Sequence, residues 1–223
     1  MALEMPDSIT VVNLPAGYPA YLGYVDGEFV TMPGLKQRFP DAYLVGLTVT
    51  GATLIADGCD IETGDLSPWS GAHWASHKLA AAPASRPVMY SSVSRMPAVI
   101  GELEALGVKR SAVRLHSAHY WGPAAGPHEK HICGPATCNL ISIPMDATQW
   151  TDHYPGNGGT LIDMSELTDT FVAPPLEPIT VLPPGRCTTA VIIEEANGEQ
   201  YVAQWDGKAW HQVAGSWPVK RVT

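Results

Sequence analysis

Positive charge is scarce in this chain: 13 Lys and Arg stand against 22 Asp and Glu, a formal net charge of −9. So few cations cannot gather into the basic face that nucleic-acid binding requires, and only Lys109–Arg110 and Lys220–Arg221 occur as pairs. No nucleic-acid partner is expected. Long apolar runs are missing too. Nothing approaches the roughly 18 consecutive apolar residues that cross a bilayer as a helix, so no membrane partner is expected. The segment Met1-Ala-Leu-Glu4-Met-Pro6-Asp7 has an acid and a proline where a secretory signal needs positive charge and an apolar core. Synthesis in the cytoplasm, without a signal peptide or transmembrane segment, is the expectation.

Familiar catalytic signatures are absent as well. The chain has no Gly-x-Gly-x-x-Gly or Gly-x4-Gly-Lys-Ser/Thr turn, no Gly-x-Ser-x-Gly elbow and no His-Glu-x-x-His pair. Nucleotide binding, serine hydrolysis and zincin chemistry lose their usual support, and no cofactor is expected. Cysteines are few: Cys59, Cys133, Cys138 and Cys187. Cys133 and Cys138 flank a Gly-Pro loop short enough to close as a disulfide, or they remain free thiols. His128 and His131 lie just upstream, and His-x2-His-x-Cys-x4-Cys is formally open to zinc. That spacing matches no zinc motif, so no metal is expected. Cys59, inside an apolar run, reads as a small buried hydrophobe.

What the chain does have is 45% hydrophobic residues together with 21 Gly and 20 Pro. It is too apolar for a disordered chain and rich in turns. Apolar runs at 18–25, 42–50, 53–61, 87–91 and 112–118 read as strands, and their near-continuous hydrophobicity suits strands covered on both faces. Helical signals fall between them: Lys36 to Phe39, a Ser67-Pro68 start leading to Leu79, and a stripe from Met96 to Leu106 stopped by Gly107. Strand–helix alternation predicts a parallel α/β fold, and the missing nucleotide turn favours the barrel form over the doubly wound one. Residues 1–172 would form this barrel. A Pro-rich linker would follow at 173–186, and then a small β appendage at 187–223, with hairpin turns at Asn197-Gly198 and Asp206-Gly207.

The sharpest local feature is Asp57-Gly-Cys-Asp60-Ile-Glu62-Thr-Gly-Asp65. Side chains two apart on a strand share a face, so Asp60 and Glu62 would project together from the C-terminal end of a parallel strand. Barrel enzymes build their active sites at that end. Crowded carboxyls drive one pKa upward, and an acid beside a carboxylate is the pairing that glycosidic cleavage uses. Asp26 ends the first apolar run and could converge on the same mouth, whereas Asp65 reads as a turn cap. Tyr24, Tyr90, Tyr120, Trp121, Trp150 and Tyr154 fall at or after strand ends, where flat rings suit the apolar faces of sugars as well as a core. His116 reads as a structural histidine.

Several of these segments resemble glycoside hydrolase family 25, the lysozyme-type N-acetylmuramidases. Asp60-Ile-Glu62 is similar to that family's Asp-x-Glu motif, and Arg86-Pro-Val-Met-Tyr90-Ser-Ser resembles its following strand. Ser117-Ala-His119-Tyr120 resembles the next strand end. Ala147-Thr-Gln149-Trp150-Thr-Asp and Gly158-Gly-Thr-Leu-Ile-Asp163-Met-Ser resemble the close of its barrel. The stretch, about 18–172, also resembles glycosidase-like proteins of actinobacteria and their phages. The resemblance implies a TIM-barrel-like fold. It makes Glu62 the general acid and Asp60 an orienting or stabilising group, with Asp26 in place of the first-strand aspartate and Asp163 as the last acid. Tyr24, Tyr90, His119, Tyr120, Gln149 and Trp150 would contact substrate.

Two departures stand out. Asp26 lies in Tyr-Val-Asp-Gly rather than Gly-Ile-Asp-Val-Ser, and Gln149-Trp150 reverses the family's order. The interval from Asp26 to Asp60 is also too short for the family's strands, so a shortened or incomplete barrel with a C-terminal β meander is expected. The implied function is muramidase-like hydrolysis of β-1,4 bonds in peptidoglycan or a related glycan, in a lysin released to the cell wall. The alternative is a non-catalytic phage virion or wall-binding protein, docked to an assembly partner through the appendage.

Overall fold

The computed structural model describes residues 3–120, 129–138 and 140–172, and the backbone of strands at 190–194, 200–205 and 210–212. The chain forms two compact units, Met1–Glu177 and Pro178–Thr223. The first is a closed barrel of eight strands: β1 Leu3–Asp7, β2 Ala20–Tyr24, β3 Tyr43–Thr48, β4 Gly58–Asp60, β5 Val88–Ser92, β6 Arg114–Ala118, β7 Ala147–Pro155 and β8 Leu161–Leu167. Strands β1 to β7 run parallel, and β8 closes the ring antiparallel to both β7 and β1. Helices α1 Met32–Arg38, α2 Pro68–Ala81 and α3 Met96–Ala105 lie between strands, and α4 Asp169–Val172 follows the last one.

The expectation of a shortened barrel is therefore corrected: the ring is complete. The strand that sequence reasoning lacked is β1, whose Glu4 and Pro6 hide its apolar positions. Its economy lies in the connections instead. β3 reaches β4 through an irregular loop, and β7 reaches β8 by a single tight 3-10 turn.

Alternation sorts the side chains into two layers. Met5, Leu22, Leu47, Val88, Ala118, Ala147 and Leu167 fill the interior together with Phe171 of α4. The opposite faces of β4, β5 and β6 present Cys59, Met89 and Leu115 to α2 and α3, where Trp74, Met96, Val99 and Leu103 complete an outer core. The face of β2 turned from the interior packs Tyr21 flat on Phe39, ring centroids 3.9 Å apart, among Leu14, Met32 and Leu35. Ser67 caps α2 by accepting from the Ser70 backbone at 3.1 Å, with Pro68 following in the first turn, as the sequence suggested. At the closed end, Arg114 donates to the carbonyls of Arg86 (2.8 Å) and Phe171 (2.9 Å) and to the Tyr43 hydroxyl (2.8 Å). Deeper inside, His116 Nε2 meets Ser165 Oγ at 2.9 Å, and burial lowers its pKa to about 3, so it is a neutral structural residue.

Strand β4 approaches β5 closely at Gly58. A methyl group added at Gly58 would strike the Val88 carbonyl and come within 2.5 Å of Val88 Cβ and 2.8 Å of Leu47 Cδ2. Backbone cannot yield as a side chain does. Gly58→Ala is thus expected to cost about 1–3 kcal/mol, the range for overpacking a dense core, read as a lower urea midpoint at unchanged slope. An unshifted midpoint would mean that β4 and β5 part without strain.

The second unit is a three-stranded antiparallel meander, β9 Ala190–Glu194, β10 Gln200–Trp205 and β11 Trp210–Gln212, in the order β11-β10-β9. This matches the meander expected from the sequence. The proposed linker at 173–186 and both hairpin dipeptides lie outside the described residues. Among the described residues, no helix is long and apolar enough to cross a membrane.

Candidate active site

Four carboxyl groups meet at the mouth where the parallel strands end. Asp7 is the last residue of β1 and pairs in register with Asp163 across the β1–β8 ladder. Because β8 runs antiparallel, its third residue, Asp163, arrives at the same end of the barrel as the C-terminus of β1. Asp60 ends β4, and Glu62 follows it two residues on. The backbone there stays extended because Ile61 N–H donates to the Tyr90 carbonyl (2.9 Å) and Ser91 Oγ donates to the Ile61 carbonyl (2.8 Å). Ile61 itself is fully buried in the outer core, and its flanking acids turn toward the interior.

The electrostatics follow from crowding under cover. Asp7 and Asp60 are buried, at 5% and 3% exposure, and Glu62 is half-buried. Burial first, then the Asp163 charge and the hydrogen bond to it, pushes Asp7 well above the usual carboxylate range. The two carboxyls are hydrogen-bonded to each other, which requires one proton on the Asp7–Asp163 pair. Burial, followed by the charges of Glu62 and Asp65, pushes Asp60 up to about 8, against a hydrogen bond from Tyr24 that pulls downward. Glu62 is raised by burial and by Asp65, with Arg95 opposing. Asp163 is raised to about 6 by burial, while the bond from Asp7 and the nearby His153 counter it. At neutral pH the mouth thus holds neutral acids beside ionised ones.

Tyrosines surround the acids. Asp60 and Tyr90 are register partners on β4 and β5. Tyr24 and Tyr90 have pKa values raised first by burial and then by these same carboxylates, and Tyr120 is raised by burial, then by Asp152, then by Glu62, Asp163 and Asp7. The Tyr90 hydroxyl donates a short hydrogen bond to Gln149 Oε1. Asp60 Oδ1 is buried and has no hydrogen-bond partner among the described residues.

The structure brings together Asp60, Glu62, Asp163, Tyr24, Tyr90, Tyr120 and Gln149 from the sequence-derived set. It does not bring Asp26. That carboxylate accepts from Thr48 Oγ1 (2.5 Å), Thr50 Oγ1 (2.6 Å) and the Val49 amide (2.8 Å). Burial would raise it, but these bonds outweigh burial and hold its pKa below the ordinary value. Asp26 pins the loop after β3, and Asp7 takes the first-strand place assigned to it. Trp150 packs edge-on against Tyr154 with centroids 6.1 Å apart, beside the bulge between Gln149 and Thr151. Trp121 lies outside the described residues. His119 joins a different cluster, with His131, Cys133 and Cys138.

No family model matches the chain, and no curated protein matches it. Among solved structures, the crystal structure of the CTP1L endolysin is similar, with a TM-score of 0.44 and 15% sequence identity over 76% of this chain and 68% of that one. The activity of that endolysin is regulated by a secondary translation product.

Proposed function

We propose that the barrel is a glycoside hydrolase that cuts β-1,4 bonds in peptidoglycan or a related glycan, in the manner of a muramidase. The observation that carries this reading is the convergence of four carboxyls from three parts of the sheet at one barrel mouth, ringed by tyrosines. Glycosidic cleavage needs a proton delivered to the leaving oxygen and negative charge held near the oxocarbenium-like carbon. Glu62 is the more accessible member of the Asp60–Glu62 pair and is raised toward the protonated state, which suits the general acid. Asp60, whose Oδ1 has no hydrogen-bond partner among the described residues, orients or stabilises the reacting sugar, directly or through the substrate's own acetamido group. Asp7 and Asp163 share a proton beside them and set the local charge. Tyr24, Tyr90 and Tyr120 offer rings for sugar faces and hydroxyls for sugar oxygens.

A truncated first half would have favoured a non-catalytic descendant. The complete ring removes that support.

The test is clearance of purified bacterial cell walls by the full chain across pH. An acid that must be protonated loses activity as pH rises through its raised pKa, so the optimum should lie on the acid side of neutral and the alkaline limb should fall first. A flat profile, or no clearance at any pH, would count against this assignment.

A further inference from the structure

A second constellation lies apart from the carboxylates and contains all the donors of a tetrahedral metal site. His119, just beyond β6, and His131, Cys133 and Cys138, in the segment before β7, each turn one ligand atom to a common point. These four atoms all lie within 4.8 Å of one another. His119 Nδ1 is 3.2 Å from Cys133 Sγ, 3.1 Å from Cys138 Sγ and 3.4 Å from His131 Nε2, which is itself 3.5 Å from Cys133 Sγ. The geometry points to a structural zinc site of His2Cys2 type, formed by His119, His131, Cys133 and Cys138.

Three observations support it. First, metal–nitrogen and metal–sulfur bonds of about 2.0–2.1 and 2.3 Å in a tetrahedron separate neighbouring ligand atoms by roughly 3.3–3.8 Å, close to the nitrogen–nitrogen spacing and the three nitrogen–sulfur spacings just given. Secondly, the His131 tautomer is fixed from outside. Its Nδ1 lies 2.8 Å from the Glu129 carbonyl, which can only accept, so Nδ1 carries the hydrogen and Nε2 turns a lone pair to the cluster. An outer carbonyl holding a ligating histidine is the usual companion of a metal site. Thirdly, the cysteines sit in a preformed knuckle. Cys138 and Thr137 amides donate to the Gly134 carbonyl (2.8 and 3.0 Å), and the Cys133 amide donates to Thr148 Oγ1 on β7 (2.8 Å).

In the structure the two sulfurs are paired as a disulfide, with their Cα atoms 5.4 Å apart, so the zinc site belongs to the form that reduction of this bond yields. A cation bound by two thiolates and two neutral imidazoles uses all four lone pairs, and its binding releases the two thiol protons. Sequence spacing offers His128 as the fourth ligand, which lies outside the described residues, and leads to the expectation of no metal. The fold supplies His119 instead. The site would fasten the end of β6 to the start of β7, because the His119 amide also donates to the Gln149 carbonyl (2.9 Å).

The test uses the full chain, purified with a phosphine reductant and zinc, then desalted. Elemental analysis should give one zinc per chain. The native mass should equal the chain plus zinc less two protons, and cobalt in its place should show tetrahedral d–d bands with thiolate charge transfer. Cys138→Ser and His119→Gln should cut zinc content at least tenfold, and Cys59→Ser should leave it at one. Variant folding is followed by circular dichroism, and the wild-type stoichiometry decides the matter even where a variant fails to fold. Reduced, folded wild-type chain that takes up no zinc would overturn the site, as would zinc retained in Cys138→Ser.

Discussion

Glu62→Gln should lower cleavage of purified cell-wall glycan by about 10²–10⁴-fold, the usual contribution of a positioned general acid, and leave the fold intact. The amide matches the carboxyl in size, and Glu62 is only half-buried, so no void or strain follows. What disappears is the transferable proton. The paired comparison of Asp7→Asn with Asp26→Asn separates the two candidates for the first aspartate. Asp7 is bonded to Asp163 and adds its carboxyl to the mouth, so its amide should depress cleavage strongly. Asp26 is occupied with Thr48, Val49 and Thr50, so its amide should cost stability and spare cleavage in the protein that remains folded. The reverse ranking would transfer the role back to Asp26. Rates are read as reducing ends released per unit time.

Asp60→Asn should do two opposite things: remove activity and stabilise the protein above neutral pH. The folded pKa of Asp60, about 8, lies above its ordinary value of 3.8. For an acid raised by folding, the native state holds a proton that the unfolded chain has released. Stability is thus fully present below pH 4 and declines as pH rises toward 8. Each unit is worth about 1.4 kcal/mol at most. The charge is shared with coupled neighbours, so on the order of 3 kcal/mol is the expected gain for the amide at pH 8, about 6–12 °C in Tm for a domain of this size. At pH 5 the two proteins should melt much closer together. A variant that melts below wild type at pH 8 would show that Asp60 is ionised and stabilising in the folded protein. Active sites commonly trade stability for function in this way.

How much of this was legible in the sequence depended on whether the signal was local. Asp60 and Glu62 stood out because acids inside an apolar run are costly unless used, and period two alone put them on one face. The Ser67-Pro68 start of α2 and the Gly107 stop after α3 are equally local, and the structure has both helices. Asp7 was hidden because Leu3–Asp7 reads as a charged, proline-bearing leader. Only closure against β8, far along the chain at Asp163 and beyond, makes it a strand. Without that strand the sequence reads as an incomplete barrel, and the run ending at Asp26 takes the place of the first strand. The His-Cys cluster shows the same limit. Spacing ties Cys133 to Cys138, but His119 joins them across Trp121–His128, and no period along the chain carries that contact. Asp163 was legible only through a family likeness, since its arrival at the mouth needs an antiparallel last strand that alternation does not announce.

The most direct measurement of the central claim is product analysis of wall glycan digested by the wild-type chain. Mass spectrometry after borohydride reduction should find new reducing sugar ends within the glycan strand, growing with time and absent from the Glu62→Gln digest. Intact glycan strands, or equal products from both proteins, would contradict the assignment of the barrel mouth as a glycosidase site.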